Sequence, residues 1–284
     1  MMWKDSYQLG VELIDQQHKE LFQMVDDLIT NLNNSTEWQP KQKYMVALGF
    51  MKRYVTNHFQ VEEAYQASMG YPGLEEHKKE HAKFTKAILE YEEKLHKTNY
   101  DLHLVKELSG VLVAWLIYHV MEKDQQIVKN SIPEPNTQPS SYLECFATSV
   151  SHVFETMFGI VTTDITEALE YQNIGSIHAT IEFIGDFKGE AVYSFPKDFA
   201  FRVMQIMTGM ELTEVDEILC SAMAEISNIV SGNAASELVK QGYPCDIRPP
   251  IVRFGPFHSN ENFPTEQCLA VNTPLGSVYI TVAK

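Results

Sequence analysis

The chain has 284 residues, 44% of them hydrophobic and 11% aromatic, which is enough apolar material for packed cores and argues against a disordered chain. Its formal charge of −16 divides unevenly, with 15 basic and 19 acidic side chains up to residue 131 and 7 basic and 19 acidic beyond it. The strongly acidic second half repels phosphate backbones and anionic lipid, so neither nucleic acid nor a membrane surface is expected as a partner, and a protein with an exposed basic patch is.

No apolar run approaches the roughly 18 residues that cross a bilayer. Met1-Met2-Trp3-Lys4-Asp5 has neither the basic region nor the apolar stretch of a signal peptide, so the cytoplasm is the expected compartment. Cys145, Cys220, Cys245 and Cys268 are widely spaced and form no Cys-x-x-Cys pair; buried reduced thiols are expected rather than disulfides or metal ligands.

In chain order, helical periods occupy residues 9–32, 41–69, 72–97 and 102–129. Turn chemistry separates them: Asn33-Asn34-Ser35-Thr36, then Gly70-Tyr71-Pro72-Gly73, then Thr98-Asn99. Four helices with short links predict an up-down-up-down four-helix bundle over residues 1–131. Residues 132–141, with Pro133, Pro135 and Pro139 and little to bury, read as a semi-rigid linker. Beyond it the periods mix. Helices are expected at 142–158, 198–207 and 214–240, and strands at 177–184, 190–195, 247–254, 268–272 and 276–283. Strands set among segregated helices predict an α+β domain over 142–284, and the chain as a whole is multidomain.

Seven of the ten histidines fall in the first 131 residues. His58 and Glu62 are four apart on the second helix, as are His77 and His81 on the third, so each pair projects from one face. The first helix adds His18 and the fourth adds His119 and Asp124. That last spacing of five residues is about 140° around an ideal helix and is the least secure geometrically. Any one of these side chains reads most simply as a solvated or core residue. Five imidazoles and two carboxylates converging from four helices, however, would be costly to bury without a cation. Nitrogen and oxygen donors without cysteine suit iron, manganese or zinc, and the histidine count favours iron over magnesium or calcium. His96 and His103 lie outside the pattern and are expected at the surface.

Gly-Val-x-x-Ile-Asp-x-Gln-His ending at His18, His58-x3-Glu62, His77-x3-His81 and His119-x4-Asp124 together resemble the ligand set of the bacterial hemerythrin family. The resemblance implies one iron held by His77, His81 and His119 and a second by His18 and His58. Glu62 and Asp124 would bridge them with an oxide or hydroxide, leaving one open position for O2. Reversible oxygen binding also asks for a dry apolar pocket. Phe59, Trp115 and Leu116 beside ligands, and Leu21 one turn beyond His18, are its expected walls, although each would serve equally as core packing.

In the last long helix, expected to begin near Glu214, Val215, Ile218, Leu219, Ala222, Ile226 and Ile229 define a buried face. Ser221, Glu225 and Asn228 fall on a stripe about 120° away from it. Ser221-x3-Glu225-x2-Asn228, the following Ile-Val-Ser-Gly-Asn-Ala, and Arg248-Pro249-Pro250 resemble the chemotaxis phosphatase family of CheC, CheX and FliY. So does the strand, Gly-x3-Gly turn and strand around Gly185 and Gly189. A single Glu-x-x-Asn helix is the CheX-like arrangement. The resemblance implies hydrolysis of the phosphoaspartate of a CheY-type response regulator, with Mg2+ supplied by the regulator. Asn228 would position the attacking water, Glu225 would pair with a regulator lysine, and the domain would form a homodimer. The reading is an oxygen- or redox-sensing chain with a phosphatase output. Its rivals are a docking module without catalysis and an oxygen or iron store.

Overall fold

A computed structural model describes residues 2–33, 41–129, 142–168, 176–255 and 266–283. The chain divides into two compact units, Met1–Pro135 and Asn136–Lys284. The linker expected at 132–141 lies outside the described residues.

In the first unit, a short 3-10 turn at Asp5–Tyr7 precedes α1 (Glu12–Asn33), α2 (Lys41–Met69), α3 (Leu74–Lys97) and α4 (Leu102–Tyr118). The last continues through a π-helical turn, His119–Asp124, into α5 (Gln125–Lys129). α1 packs on α2 and α4, and α3 packs on α2 and α4, which makes the four-helix bundle. On α1 the buried residues Ile14, His18, Leu21, Val25, Leu28 and Leu32 recur at helical spacing and form one stripe. α4 starts where Asp101 accepts hydrogen bonds from the backbone N–H of His103 and Leu104.

One expectation about membranes fails. The continuous helix Leu102–Lys129 is long and apolar enough to cross a bilayer by length and composition, because its few charges interrupt apolar runs without making the stretch polar. Within the bundle 67% of that apolar window is buried, so this is the core helix.

Among the described residues, the second unit is an antiparallel seven-stranded sheet with three helices. The elements are α6 (Tyr142–Phe158), β1 (Asp164–Glu167), β2 (Ser176–Gly185), β3 (Gly189–Pro196), α7 (Lys197–Thr208), α8 (Glu217–Lys240), β4 (Cys245–Ile247), β5 (Ile251–Phe254), β6 (Glu266–Thr273) and β7 (Gly276–Ala283). The sheet runs β1-β6-β7-β3-β2-β4, with β5 also paired to β2. Ala179, Ile181 and Phe183 face Tyr193, Ala191 and Gly189 across the β2/β3 ladder, so they share one side of the sheet. That side packs on the helices: Phe183 meets Phe146 of α6, and the Tyr193 hydroxyl lies 2.8 Å from Ser231 Oγ of α8.

Gly185 closes β2 with φ +118°, where a Cβ would come within 2.6 Å of the Pro244 carbonyl oxygen. The single strand expected at 247–254 is two strands. Arg248-Pro249-Pro250 separates them because proline cannot donate to the ladder, and Arg248 instead pairs with Glu182. β1, absent from the expected elements, is only four exposed residues long, too short for a periodic signal. All four cysteines are free, but only Cys145 is buried; Cys220, Cys245 and Cys268 are partly exposed, contrary to expectation.

Candidate functional site

Each bundle helix delivers metal-capable side chains to one point. α1 brings His18, α2 brings His58 and Glu62, α3 brings His77 and His81, and the π turn brings His119 and Asp124; all seven are buried. On α2 and α3 the four-residue spacing suffices. On the last helix it is the π turn that aligns the pair, since i→i+5 bonding takes one more residue into each turn and brings residues five apart to nearly the same face. His119 Nε2 and Asp124 Oδ1 are 3.1 Å apart.

Five imidazole Nε2 atoms point at the two carboxylates. His18 and His58 approach each other at 3.1 Å, and His81 and His119 at 3.0 Å. Each carboxylate divides its oxygens between two groups. Glu62 Oε1 is 2.6 Å from His77 and 3.7 Å from His81, while its Oε2 is 3.3 Å from His58. Asp124 Oδ1 is 3.1 Å from His119 and 3.5 Å from His77, while its Oδ2 is 3.2 Å from His18. The donor set is thus two lobes, three histidines and two, with a carboxylate oxygen from each acid in each lobe.

These residues fit metal. Glu62 Oε2, both Asp124 oxygens and His77 Nε2 are buried with no hydrogen-bond partner. An unsatisfied buried polar atom costs about 1–3 kcal/mol, and more when charged, so such a cluster is destabilising unless a cation occupies its centre. The donors are all nitrogen and oxygen, as iron, manganese and zinc accept.

Electrostatics divides the ligands. Burial lowers the pKa of His18 and of His81 to about 4, and holds His119 well below its ordinary value, so these three are neutral and ready to coordinate. Burial also opposes protonation of His77, but its contact with Glu62 overrides that and raises its pKa. Burial and then the neighbouring Glu62 charge push Asp124 well up. For Glu62 burial is outweighed by the close approach of the His58 and His77 imidazoles, which hold it well below the usual carboxylate range.

An outer ring of residues that the spacing argument did not identify fixes the ligands. His58 Nδ1 pairs with Gln17 Oε1 at 3.1 Å and His81 Nδ1 with Glu63 Oε1 at 2.8 Å; a proton on each Nδ1 leaves Nε2 as the donor atom. Gln66 Nε2 donates to Glu62 Oε1 at 2.7 Å. Gln66 is four residues from Glu62, the one local signal that could have found it. Asp15 accepts from the Leu9 and Gly10 backbone N–H and ties the preceding loop to α1. Phe59 stacks on His81 at 3.7 Å between ring centroids, and Trp115 stacks on His119 at 4.3 Å, so both ring planes are set by packing.

Leu21, Phe59, Trp115 and Leu116 line one small cavity of about 20 Å³, bordered by His58 and His119. His96 and His103 are exposed at the surface.

In the second unit, α8 begins at Glu217, with Asp216 as its cap and Val215 outside it. Glu225 and Asn228 are partly exposed, and Asn228 Nδ2 donates to Glu225 Oε2 at 3.4 Å. Ser221, expected beside them on the same stripe, is 4% exposed. The buried face is wider than the apolar residues alone suggest because small serines, Ser221, Ser227 and Ser231, join it.

A cation-binding helical unit followed by an α+β sheet domain is the class that these observations define. Residues 9–129 match the family Hemerythrin HHE cation binding domain. A bacteriohemerythrin of Clostridium acetobutylicum is 33% identical over 128 residues, 45% of this chain and 98% of that protein. The chain belongs to the hemerythrin family, whose domain implies non-haem iron, and beyond that domain it is similar to a second family. Residues 177–272 match Chemotaxis phosphatase CheX. The CheY-P phosphatase CheX of Thermotoga maritima is 36% identical over 81 residues, 28% of this chain and 52% of that protein. A CheX–CheY–BeF3–Mg complex from Borrelia burgdorferi is 20% identical, with TM-score 0.45, covering 51% of this chain and 98% of that one.

Proposed function

We propose that the chain senses oxygen or redox state through two irons in its first domain and removes the phosphoryl group from a CheY-type response regulator with its second. The observation that carries the first half is the split of each buried carboxylate between a three-histidine and a two-histidine lobe. His77, His81 and His119 would hold one iron, His18 and His58 the other, and Glu62 and Asp124 would bridge them. The iron pair would supply a redox couple able to take up dioxygen. Phe59, Trp115, Leu116 and Leu21 keep the small cavity beside His58 and His119 apolar, and Gln17 and Glu63 hold the imidazoles in their ligating tautomer.

In the second domain the partly exposed Asn228 and Glu225 act on a docked regulator that brings its own Mg2+. Water attacks the aspartyl phosphate in line, the bond from phosphorus to the aspartyl oxygen breaks, and the aspartate leaves as its carboxylate; the proton lost by the water passes to the phosphate or to solvent. Asn228 contributes by orienting that water through its amide oxygen, a positioning role that suits acyl phosphate hydrolysis. Glu225 pairs with a regulator lysine. Its hydrogen bond with Asn228 is at the long limit, 3.4 Å. The anchored α8 supports this by holding both side chains on a rigid element. Regulator dephosphorylation measured with the iron centre reduced, oxygenated and oxidised tests the whole reading: rates that differ between these states support coupled sensing and output, and identical rates refute it.

A further inference from the structure

The small cavity at His58 and His119 has a larger neighbour. A cavity of about 190 Å³ lies between α2, α3 and α4, and its lining is mostly apolar, including Leu48, Ile88, Leu95 and Leu108. Met51, Val55, Phe84 and Leu112 line both cavities. One layer of side chains therefore separates the two. At the outer end Met45 and Leu89, at 41% and 45% exposure, bring the larger cavity to the surface.

The volumes suit different occupants. The inner cavity holds about one water-sized molecule; the larger, which the Lys52–Glu92 pair also borders, exceeds the volume of about 150 Å³ at which apolar cavities take up xenon or benzene. The partition is soft at one point: Met51 is unbranched, with three rotatable bonds, and can swing without moving backbone. Phe84 is held on the other side by its stack on Trp115 at 3.6 Å, which continues to His119. A neutral apolar diatomic passes such a layer readily, and a hydrated ion does not, because it would have to shed its water.

We infer that the two cavities form the entry route for a neutral diatomic gas, with the larger one as its antechamber between α2 and α3 and Met51 as the gate to the metal face. This rests on the reading of the metal centre as a gas-binding site. A route differs from a binding contact in its kinetics, because an added barrier slows entry and exit alike.

The test uses the full iron-loaded chain and its Ile88→Trp and Met51→Ala variants. Xenon, followed by nuclear magnetic resonance, should occupy the larger cavity in the wild type and be excluded by Ile88→Trp, which fills it. In the reduced protein Ile88→Trp should slow dioxygen association and dissociation together by about tenfold, leaving Kd unchanged. Met51→Ala should speed both. Rates that stay at the wild-type values in Ile88→Trp while xenon is excluded, or a change in one rate alone, overturn the route and leave the gas-binding reading standing. A wild type that holds iron but takes up no dioxygen overturns that reading instead, and the route's function with it, whatever the xenon result. Iron content and absorption spectrum of each variant verify that the fold is intact.

Discussion

His119 and Asp124 stand five residues apart in the chain and meet at 3.1 Å, because the helix between them is wound as a π turn. The turn places an imidazole on one lobe of the metal site and a carboxylate between both, so this segment contributes to each half of the centre. The consequences for metal content, protonation, catalysis and domain independence can be measured separately.

Metal analysis should give two irons per chain, with near-ultraviolet charge transfer in the oxidised or oxygenated protein. His77→Ala and His119→Ala should lose metal, since each removes a ligand from a shared centre and leaves its neighbours uncompensated. A zinc-filled protein from iron-replete cells, without an oxygen-sensitive spectrum, would contradict the iron assignment.

Metal uptake should release protons. In the metal-free chain His77 has a pKa raised above 6.5 and Asp124 one raised well above 3.8, and both must be deprotonated to coordinate. Affinity should therefore rise with pH above 6.5, as His77 gives up its proton. In the metal-free first domain the shifts oppose one another: the raised values of His77 and Asp124 contribute stability that is lost as pH rises through them, and the lowered values of His18, His81 and His119 contribute stability that is lost as pH falls below 6.5. Metal affinity and proton release on metal uptake, measured at pH 6.5 and upward, check this; affinity that does not change with pH there would show that His77 is not so perturbed.

Asn228→Ala should reduce acceleration of phosphoaspartate hydrolysis by about 10²–10³-fold with regulator binding retained, the usual cost of removing one positioned polar group from a reacting centre. Glu225→Ala should weaken binding instead. A normal rate in Asn228→Ala with purified phospho-regulator would rule out the water-positioning role, and tight binding without any wild-type acceleration would select a docking module.

Cutting the chain near residue 136 should yield two separately soluble pieces, the first retaining iron and the second its sheet fold, because the two compact units divide there. Circular dichroism and metal content of each piece are the measurements. Aggregation of both would show a shared core.

Much of this protein was determined by short-range pattern. Helix α2 and helix α6 begin and end where periodicity and turn residues place them, and the four-residue pairs His58/Glu62 and His77/His81 lie on common faces because an α-helix returns every 3.6 residues. Hydrophobic spacing and the change of period after the proline-rich stretch were enough to separate a bundle from an α+β domain. The π turn at His119–Asp124 was not legible, since it is selected by packing and ligand convergence rather than by any local propensity. Nor was the division of Glu62 and Asp124 between two histidine lobes, the burial of Ser221, or the layer at Met51 between two cavities. Each depends on how elements distant in sequence approach one another, and that approach is settled only when the core closes and every side chain competes for the same volume.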